Sequence, residues 1–331
     1  MLLKIAAQVI EVPRPASVGM AQAVRELVIG TRRSKLALWQ AEWVHARMRE
    51  LEPGLAVSLK RIKTAGDKIL DTPLASIGGK GLFVKEIEEA LLRGEIDLAV
   101  HSMKDVPTRL PAGLEILAIP EREDPRDVLI TLNKVSLERL VPGSRIGTSS
   151  LRRQAQLLHY RPDLSIQILR GNLDTRLRKL EAGEYDGIIL AAAGIKRLGW
   201  SDRVTEYLSP DVSLPAIGQG ALALEGRTDD GFVRAVVARL DHHPTRVAVT
   251  AERAFLERLE GGCQVPIAAH AAITNGTLTL SALIAGVDGR RLVRDSLQGP
   301  MRDAHRLGVE LAERLLARGG DEILKEIYGR A

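Results

Sequence analysis

The chain has little cysteine, few aromatic residues and no long apolar run, and each shortage excludes a class of protein. Cys263 is the single cysteine among 331 residues, which excludes internal disulfides and a thiolate metal cage and suits a reducing cytoplasm. Three Phe, four Tyr and three Trp leave few rings for stacking nucleic-acid bases. The longest apolar stretch, residues 187–195, has about half the length of a membrane-spanning helix. We therefore expect a cytoplasmic protein with no nucleic-acid or membrane partner.

The remaining composition is that of an ordinary globular protein. Hydrophobic residues make up 45% and charged residues 27% of the chain, which is typical of folded domains. The length predicts two or three of them. The formal net charge of +5 fits either a solvated surface or sites for small anions. The first residues lack the cleavage site of a signal peptide, and we predict that they form a flexible extension.

Two parts of the chain repeat one order of elements. Each has a strand ending in Gly-Thr, a basic helix start, a proline turn with a second strand, and a third strand opened by Gly-Glu-x-Asp. The paired ranges are 27–31 and 145–148, 53–59 and 162–168, and 94–100 and 183–190. Alternating strands and helices predict an α/β fold with a mainly parallel sheet in each half and ligands at the carboxyl ends of the strands.

The pattern changes after residue 240 to that of a small α+β domain. Thr245 is predicted to cap a helix that reaches Leu259. Asn275-Gly276 and Asp288-Gly289 are hairpin turn signals, and helices are predicted from about residue 303 to 328. The predicted units are an extension (1–22), a first α/β domain (23–120 and 221–240), a second (121–220) and the α+β domain (241–331), which carries the cysteine.

Eight cationic residues stand at helix starts, at strand ends or in a glycine-rich loop. They are Arg32, Lys80, Lys104, Arg152, Arg153, Arg170, Arg176 and Arg197. A basic residue in the first turn of a helix opposes the helix dipole, so these positions suggest a bound anion. The alternative is a set of unrelated surface ion pairs. If the cations converge between the halves, they outnumber the needs of one monocarboxylate or one phosphate, and a growing polyanionic product is the economical explanation.

Two further residues are candidates for chemistry. Asp105 is a carboxylate at a strand end among these cations, where it could stabilise a cationic intermediate and move protons or simply pair with Lys104. His101 could do similar work or pack beside the sheet. Cys263 lies in a glycine-flanked loop, which leaves two readings open: a buried bystander or a covalent tether.

Motifs along nearly the whole chain resemble those of the porphobilinogen deaminase family. The segments are LDTPL (70–74), GGKGLF (78–83), HSMKDVP (101–107), REDPRD (122–127), GTSSLRR (147–153), LRGN (169–172), PAIGQG (215–220) and GGCQVP (261–266). The resemblance implies two periplasmic-binding-protein-like (type II) domains with the active site between them, and a third domain that presents the cysteine. It also implies stepwise addition of four porphobilinogen molecules with loss of ammonia, followed by hydrolysis to hydroxymethylbilane. We expect no metal, and we expect a monomer because no feature of the sequence demands a partner.

The resemblance also assigns roles to residues. Cys263 would hold a dipyrromethane cofactor through a thioether, and Asp105 would be the catalytic carboxylate. The cofactor-binding residues would be Ser34, Lys104, Asp105, Thr148, Ser150, Arg152 and Arg153. The substrate-binding residues would be Arg32, Ser34, Lys80, Arg170, Arg176, Arg197 and Gln219.

Two positions depart from the pattern of many relatives. Ser76 replaces a lysine and Lys35 replaces a proline. The first change removes a cation from the loop that covers the cleft, so chain elongation or loop closure is expected to differ here. A solute-binding module for a small carboxylate or phosphate is the alternative function.

Overall fold

The structure is a computed structural model that describes residues 25–65, 84–259 and 265–329. The predicted extension, Ser76, Lys80 and Cys263 lie outside the described residues. Two five-stranded sheets and one three-stranded sheet make up the β structure of the described part.

The first sheet combines early strands with one late strand. Its members are β1 (Leu27–Thr31), β2 (Val57–Arg61), β3 (Leu98–Ser102), β4 (Leu114–Ala118) and the later β10 (Leu222–Arg227). They lie in the order β2-β1-β3-β10-β4, and β10 alone runs antiparallel to its neighbours. The helices of this part of the chain are α1 (Lys35–Leu51), α2 (Lys85–Leu92) and α6 (Gly231–Val237). Apolar residues of α1, such as Val44 and Met48, bury against Leu27 and Ile29 of β1.

The second sheet is built from one continuous stretch of chain. Its members are β5 (Asp127–Ile130), β6 (Arg145–Gly147), β7 (Ser165–Gln167), β8 (Gly187–Ala191) and β9 (Glu206–Tyr207). The order is β7-β6-β8-β5-β9, with β5 antiparallel to both neighbours. The accompanying helices are α3 (Leu151–Tyr160), α4 (Leu173–Glu181) and α5 (Ala192–Arg197). Both sheets are therefore mainly parallel, as predicted.

The two sheets confirm the predicted duplication, because β1, β2 and β3 occupy the positions of β6, β7 and β8. The repeated glycine has the same packing reason in both. A side chain at Gly30 would place its Cβ 2.3 Å from Ile96, and one at Gly147 would place it 2.9 Å from Tyr185. Each of these large residues lies just before the third strand of its half, and the absence of a Cβ lets it pack closely on the first strand.

The third sheet is an antiparallel meander at the end of the chain. Its strands are β11 (Ile267–Thr274), β12 (Thr277–Ala285) and β13 (Leu292–Pro300). Asn275 (φ 50°) and Gly276 (φ 75°) both have positive φ, as expected for the predicted two-residue turn. Helices α7 (His243–Arg258), α8 (Ala304–Leu315) and α9 (Asp321–Tyr328) complete this part. Its core contains Phe255, Leu280 and Leu311, and it is the predicted α+β unit.

The predicted cap of α7 is wrong. The helix begins at His243, with Pro244 in its first turn and His242 at the N-cap position. Proline is favoured there because its missing N–H has no partner in the first turn anyway. The hydroxyl of Thr245 instead accepts a hydrogen bond from the backbone N–H of Arg122 at 3.1 Å.

The chain passes twice between the first two sheets, through crossing segments 119–126 and 208–221. The two segments contact each other, because the Glu123 N–H donates to the Gly220 carbonyl at 3.2 Å. The second segment leads into β10, which lies beside β3. These crossings place the carboxyl end of β3 next to residues from the second sheet.

Candidate active site

Lys104 and Asp105 stand at the carboxyl end of β3, in a short 3-10 helix formed by Met103–Asp105. Met103 holds this segment in place, because its side chain is buried and its N–H donates to the Ala221 carbonyl at 3.0 Å. Lys104 and Asp105 remain partly exposed. The predicted catalytic carboxylate therefore lies at the strand end where a parallel sheet binds its ligands.

The predicted hydroxyl residues mostly cap helices or turns. Ser34 caps α1 by accepting from the Ala37 N–H at 3.3 Å. Ser150 caps α3 by accepting from the Arg153 N–H at 3.4 Å. Thr148 accepts from the Ser150 N–H at 3.2 Å. These hydroxyls shape the helix starts that carry the arginines.

Arg152 and Arg153 meet a buried carboxylate of the chain itself. Asp127, the first residue of β5, accepts from Arg152 Nη2 at 2.7 Å, and from Arg153 Nε at 3.0 Å and Nη2 at 2.7 Å. Ser213 Oγ also donates to it at 2.7 Å. Burial would raise the pKa of Asp127, but the two arginines hold it well below its usual range. One carboxylate thus neutralises one of two adjacent guanidinium charges.

Asp127 is the main residue that the sequence did not identify as part of the site. It was visible as the last residue of the REDPRD segment, which also contains Arg122. Its role could not be predicted, because no sequence pattern relates the first residue of a strand to arginines 25 and 26 positions later.

Other cations gather around this pair. Burial, followed by the charges of Arg153 and Arg170, lowers the pKa of Arg176 to about 10, against the opposing effect of Asp105. Burial also lowers the pKa of Lys104 to about 8. The charges of Asp105 and Asp127 oppose this shift, and those of Arg153 and Arg152 add to it. Electrostatic contact therefore joins residues of both halves. Of the eight cations predicted to converge, five interact electrostatically with one another or with Asp105 and Asp127, namely Lys104, Arg152, Arg153, Arg170 and Arg176.

Arg197 and Arg32 lie toward the first domain's side of this group. Arg197 is nearly buried, donates to the Gly220 carbonyl at 2.7 Å and stacks over Trp39 at 6.0 Å. Burial lowers the pKa of Arg197 to about 10. Arg32 directly follows β1 and is half-buried.

Gln219 is buried between the crossing segments and the second sheet. Its amide nitrogen donates to the Pro125 carbonyl at 2.6 Å and to Asp127 Oδ1 at 2.9 Å. Both amide hydrogens therefore have partners within the chain. Neither hydrogen is free to donate to a substrate in this arrangement, and substrate binding by Gln219 stays a prediction.

His101, the alternative proton carrier, is buried. Its Nε2 lies 2.9 Å from Oε2 of Glu225 on β10. Of the two possibilities left open by the sequence, the structure shows the packed histidine.

The charge of the site fits a ligand with several carboxylates. Among the described residues in electrostatic contact here, five cations (Lys104, Arg152, Arg153, Arg170 and Arg176) surround two carboxylates, Asp105 and Asp127. Guanidinium groups bind carboxylates well where water is partly excluded. Each pyrrole ring of dipyrromethane carries an acetate and a propionate, so the donors present fit that cofactor.

Two searches concern other kinds of site. In the part of the chain that the structure describes, no group of three or more His, Cys, Asp or Glu side chains could hold a metal ion. None of the described helices has the length and apolar character needed to cross a membrane.

Solved structures with a similar fold are distant. An alkanesulfonate-binding protein from Xanthomonas axonopodis pv. citri is 16% identical, with a TM-score of 0.36 over 71% of this chain and 75% of that chain. A probable amino-acid transporter extracellular-binding protein from Bacillus subtilis is 9% identical, with a TM-score of 0.42 over 66% of this chain and 90% of that one. The sheet order described above defines the fold without them.

Sequence relatives are much closer. Porphobilinogen deaminase of Geobacter sulfurreducens is 61% identical over 308 residues, which cover 93% of this chain and 96% of the relative. Porphobilinogen deaminase of Syntrophotalea carbinolica is 62% identical over 298 residues, or 90% of this chain and 95% of the relative.

Two family profiles match the chain. Residues 27–235 match the dipyrromethane cofactor-binding domain of porphobilinogen deaminase, and residues 247–317 match its C-terminal domain. The predicted function and cofactor are thereby confirmed, and a solute-binding module is not favoured. The chain belongs to the porphobilinogen deaminase family.

Proposed function

We propose that this chain acts as a hydroxymethylbilane synthase, a transferase, at the site around Asp105. The observation that carries the proposal is one partly exposed carboxylate, Asp105, which interacts electrostatically with Lys104 and Arg176 beside the Arg152–Arg153 pair. Four porphobilinogen molecules are joined there with release of ammonia, and hydrolysis then frees the product. Measuring ammonia and hydroxymethylbilane from purified protein and porphobilinogen tests this, and absence of both would refute it.

The cofactor is proposed to be attached to Cys263 through a thioether. When bound, dipyrromethane supplies the pyrrole carbon to which the first substrate is joined. Its acetate and propionate groups would be held by Lys104, Arg152 and Arg153, with Ser34, Thr148 and Ser150 near the helix starts. The fit of charge and donors described above supports these assignments.

Asp105 is proposed to act on the substrate. Loss of ammonia from the aminomethyl group leaves an electron-poor carbon and positive charge on the pyrrole. A carboxylate next to that ring stabilises the charge and can accept the proton released when the new bond forms. Lys104 and Arg176 both interact electrostatically with Asp105.

A second group of cations is proposed to bind the carboxylate side chains of the substrate and of the growing chain. This group comprises Arg32, Lys80, Arg170, Arg176 and Arg197. Each new pyrrole adds two carboxylates, so a site with excess positive charge can accept successive rings. We further propose that the enzyme is a cytoplasmic monomer that binds neither nucleic acid nor membrane, with the domain boundaries predicted from the sequence.

Replacing Arg153 with leucine should yield protein that lacks the cofactor. The change removes one guanidinium from the cofactor carboxylates and leaves Asp127 paired only with Arg152. Intact mass after purification should show mainly unmodified chain. Arg145→Leu, at an exposed ion pair with Asp186, is the control and should retain the cofactor. A fully modified Arg153→Leu protein would move this arginine from cofactor to substrate binding.

Ligand binding should weaken above about pH 8 because of Lys104. Its pKa is about 8 as a result of burial, so the ammonium charge that attracts carboxylates is lost as the pH rises through that value. Cys263→Ser protein lacks the cofactor, so porphobilinogen can bind where Lys104 would hold the cofactor carboxylates. The dissociation constant for porphobilinogen, measured calorimetrically on this protein, should rise by up to about tenfold per pH unit above 8. Lys104→Arg keeps its charge and should flatten this rise. An equally steep rise in Lys104→Arg protein would assign the effect to another group.

A further inference from the structure

The second crossing segment touches the catalytic strand end directly. Gly218 has φ of +68°, and a Cβ there would lie 2.5 Å from Met103 Cγ and 3.3 Å from the Lys104 backbone nitrogen. Ala221 accepts the Met103 N–H at 3.0 Å. Residues 218–221 are therefore packed directly against the segment that carries Lys104 and Asp105.

The same segment is tied to the arginine pair. Gln219 donates to Asp127 at 2.9 Å, and Asp127 holds Arg152 and Arg153. The Gln219 carbonyl in turn accepts from Arg122 Nε at 2.7 Å. Arg122 belongs to the first crossing segment, so Gln219 connects both crossings with the second sheet.

A buried carboxylate of the third domain completes the path. Glu252 on α7 is fully buried and accepts from Arg122 Nη1 at 2.5 Å and from the Gly218 N–H at 2.7 Å. It also accepts the Ala271 N–H of β11 at 2.8 Å. Burial would raise the pKa of Glu252, but Arg122 and His270 lower it to about 2. The carboxylate is therefore ionised at neutral pH.

Helix α7 connects this hydrogen-bond network to the segment that carries Cys263. The helix ends at Arg258, five residues before Cys263 in the sequence. Glu252 thus lies on the element that leads to the cysteine, and its partners lie on the segments that hold the catalytic and arginine-bearing residues.

We infer that Glu252 and Gln219 are positioning residues. They hold Asp105 and the arginine pair in a fixed position relative to the domain that carries Cys263. The inference rests on the proposed function of Asp105 and Cys263. Neither residue needs to touch the substrate, because each acts through hydrogen bonds to groups that do. Gln219 is thereby assigned a role other than the substrate contact expected from its motif.

The test is a double-mutant cycle on the holoenzyme with Glu252→Gln, Gln219→Met and the double variant. Turnover is expressed per cofactor-carrying molecule, counted by intact mass, and assays are run well below each unfolding temperature. Each single change should lower kcat by about ten- to a hundredfold, because small misplacements of reacting groups are costly, with KM changed by less than about twofold. The double variant should be no slower than the slower single variant.

Several outcomes would overturn the inference. Losses that multiply in the double variant would mean independent roles. An increased KM with normal kcat in Gln219→Met would mean that Gln219 contacts substrate. Unchanged kcat in both single variants would leave only a structural role. If Glu252→Gln does not fold, Gln219→Asn, which shortens the donor, must still reproduce the kcat loss.

Two controls separate this inference from the proposed function. Glu257→Gln alters a partly exposed glutamate on the same helix, paired with Arg109, and should behave as wild type. Wild-type protein must form product in the same assay. An inactive wild type would refute the proposed function, whereas an active wild type with multiplying losses refutes the positioning role alone.

Discussion

Asp105→Asn protein should turn over porphobilinogen about 10² to 10⁴ times more slowly than wild type while remaining folded and carrying its cofactor. Asparagine keeps the shape and the hydrogen-bonding reach of the side chain but cannot carry negative charge or accept the proton. The surrounding cations would remain, so carboxylate binding should not weaken. The loss should therefore appear in kcat, with KM equal to or below that of wild type.

Three measurements check this prediction together. Intact mass reports the cofactor, thermal unfolding reports the fold, and initial rates give kcat and KM. Asp211→Asn is a suitable control, because that side chain is 91% exposed and pairs only at the surface with Arg294. Turnover within about tenfold of wild type in Asp105→Asn would assign the proton transfer to another group.

Cys263→Ser protein should lack the cofactor completely and be inactive. A thioether needs the sulfur nucleophile, which a serine hydroxyl does not replace. Because Cys263 is the only cysteine in the chain, no other thiol can substitute for it. Loss of the primer removes the start point of the tetrapyrrole, so activity should be undetectable rather than merely reduced.

The single thiol also makes the experiment quantitative. Wild-type protein should carry extra mass corresponding to one dipyrromethane and should resist alkylation by iodoacetamide under denaturing conditions. The fraction that lacks the cofactor should gain one alkyl group, so the two populations are counted in one spectrum. Active wild-type protein without extra mass, or with a freely alkylated thiol, would contradict covalent attachment.

The fold was largely predictable because its signals are local and repeated. Strand, Gly-Thr turn and helix follow one another twice, and Gly30 and Gly147 meet equivalent large residues. The Asn275-Gly276 turn was predictable for the same reason, since its positive φ values are a property of two adjacent residues. The start of α7 was missed because two start signals, Pro244 and Thr245, are adjacent, and the proline determines the boundary.

The candidate site was predictable only in part. The cations were visible as misplaced charges at helix starts, and Asp105 stood out as the acidic residue among them. Asp127 and Glu252 were not identified, because their partners come from distant parts of the chain and only the folded protein brings them together. Arg122 and Glu252 are separated by 130 positions. Burial of a charged side chain depends on the folded structure and leaves no periodic pattern in the sequence from which it could be predicted.

The position of β10 in the first sheet has a consequence for the order in which the protein assembles. Residues 222–227 lie between β3 and β4, although the ribosome makes them after the whole second sheet. Among the described strands β4 pairs only with β10, so during synthesis it waits for β10 to emerge, whereas residues 127–207 contain the five described strands of the second sheet. The second sheet can therefore form first, and the first sheet is completed when β10 returns to it, since contacts distant in sequence form late.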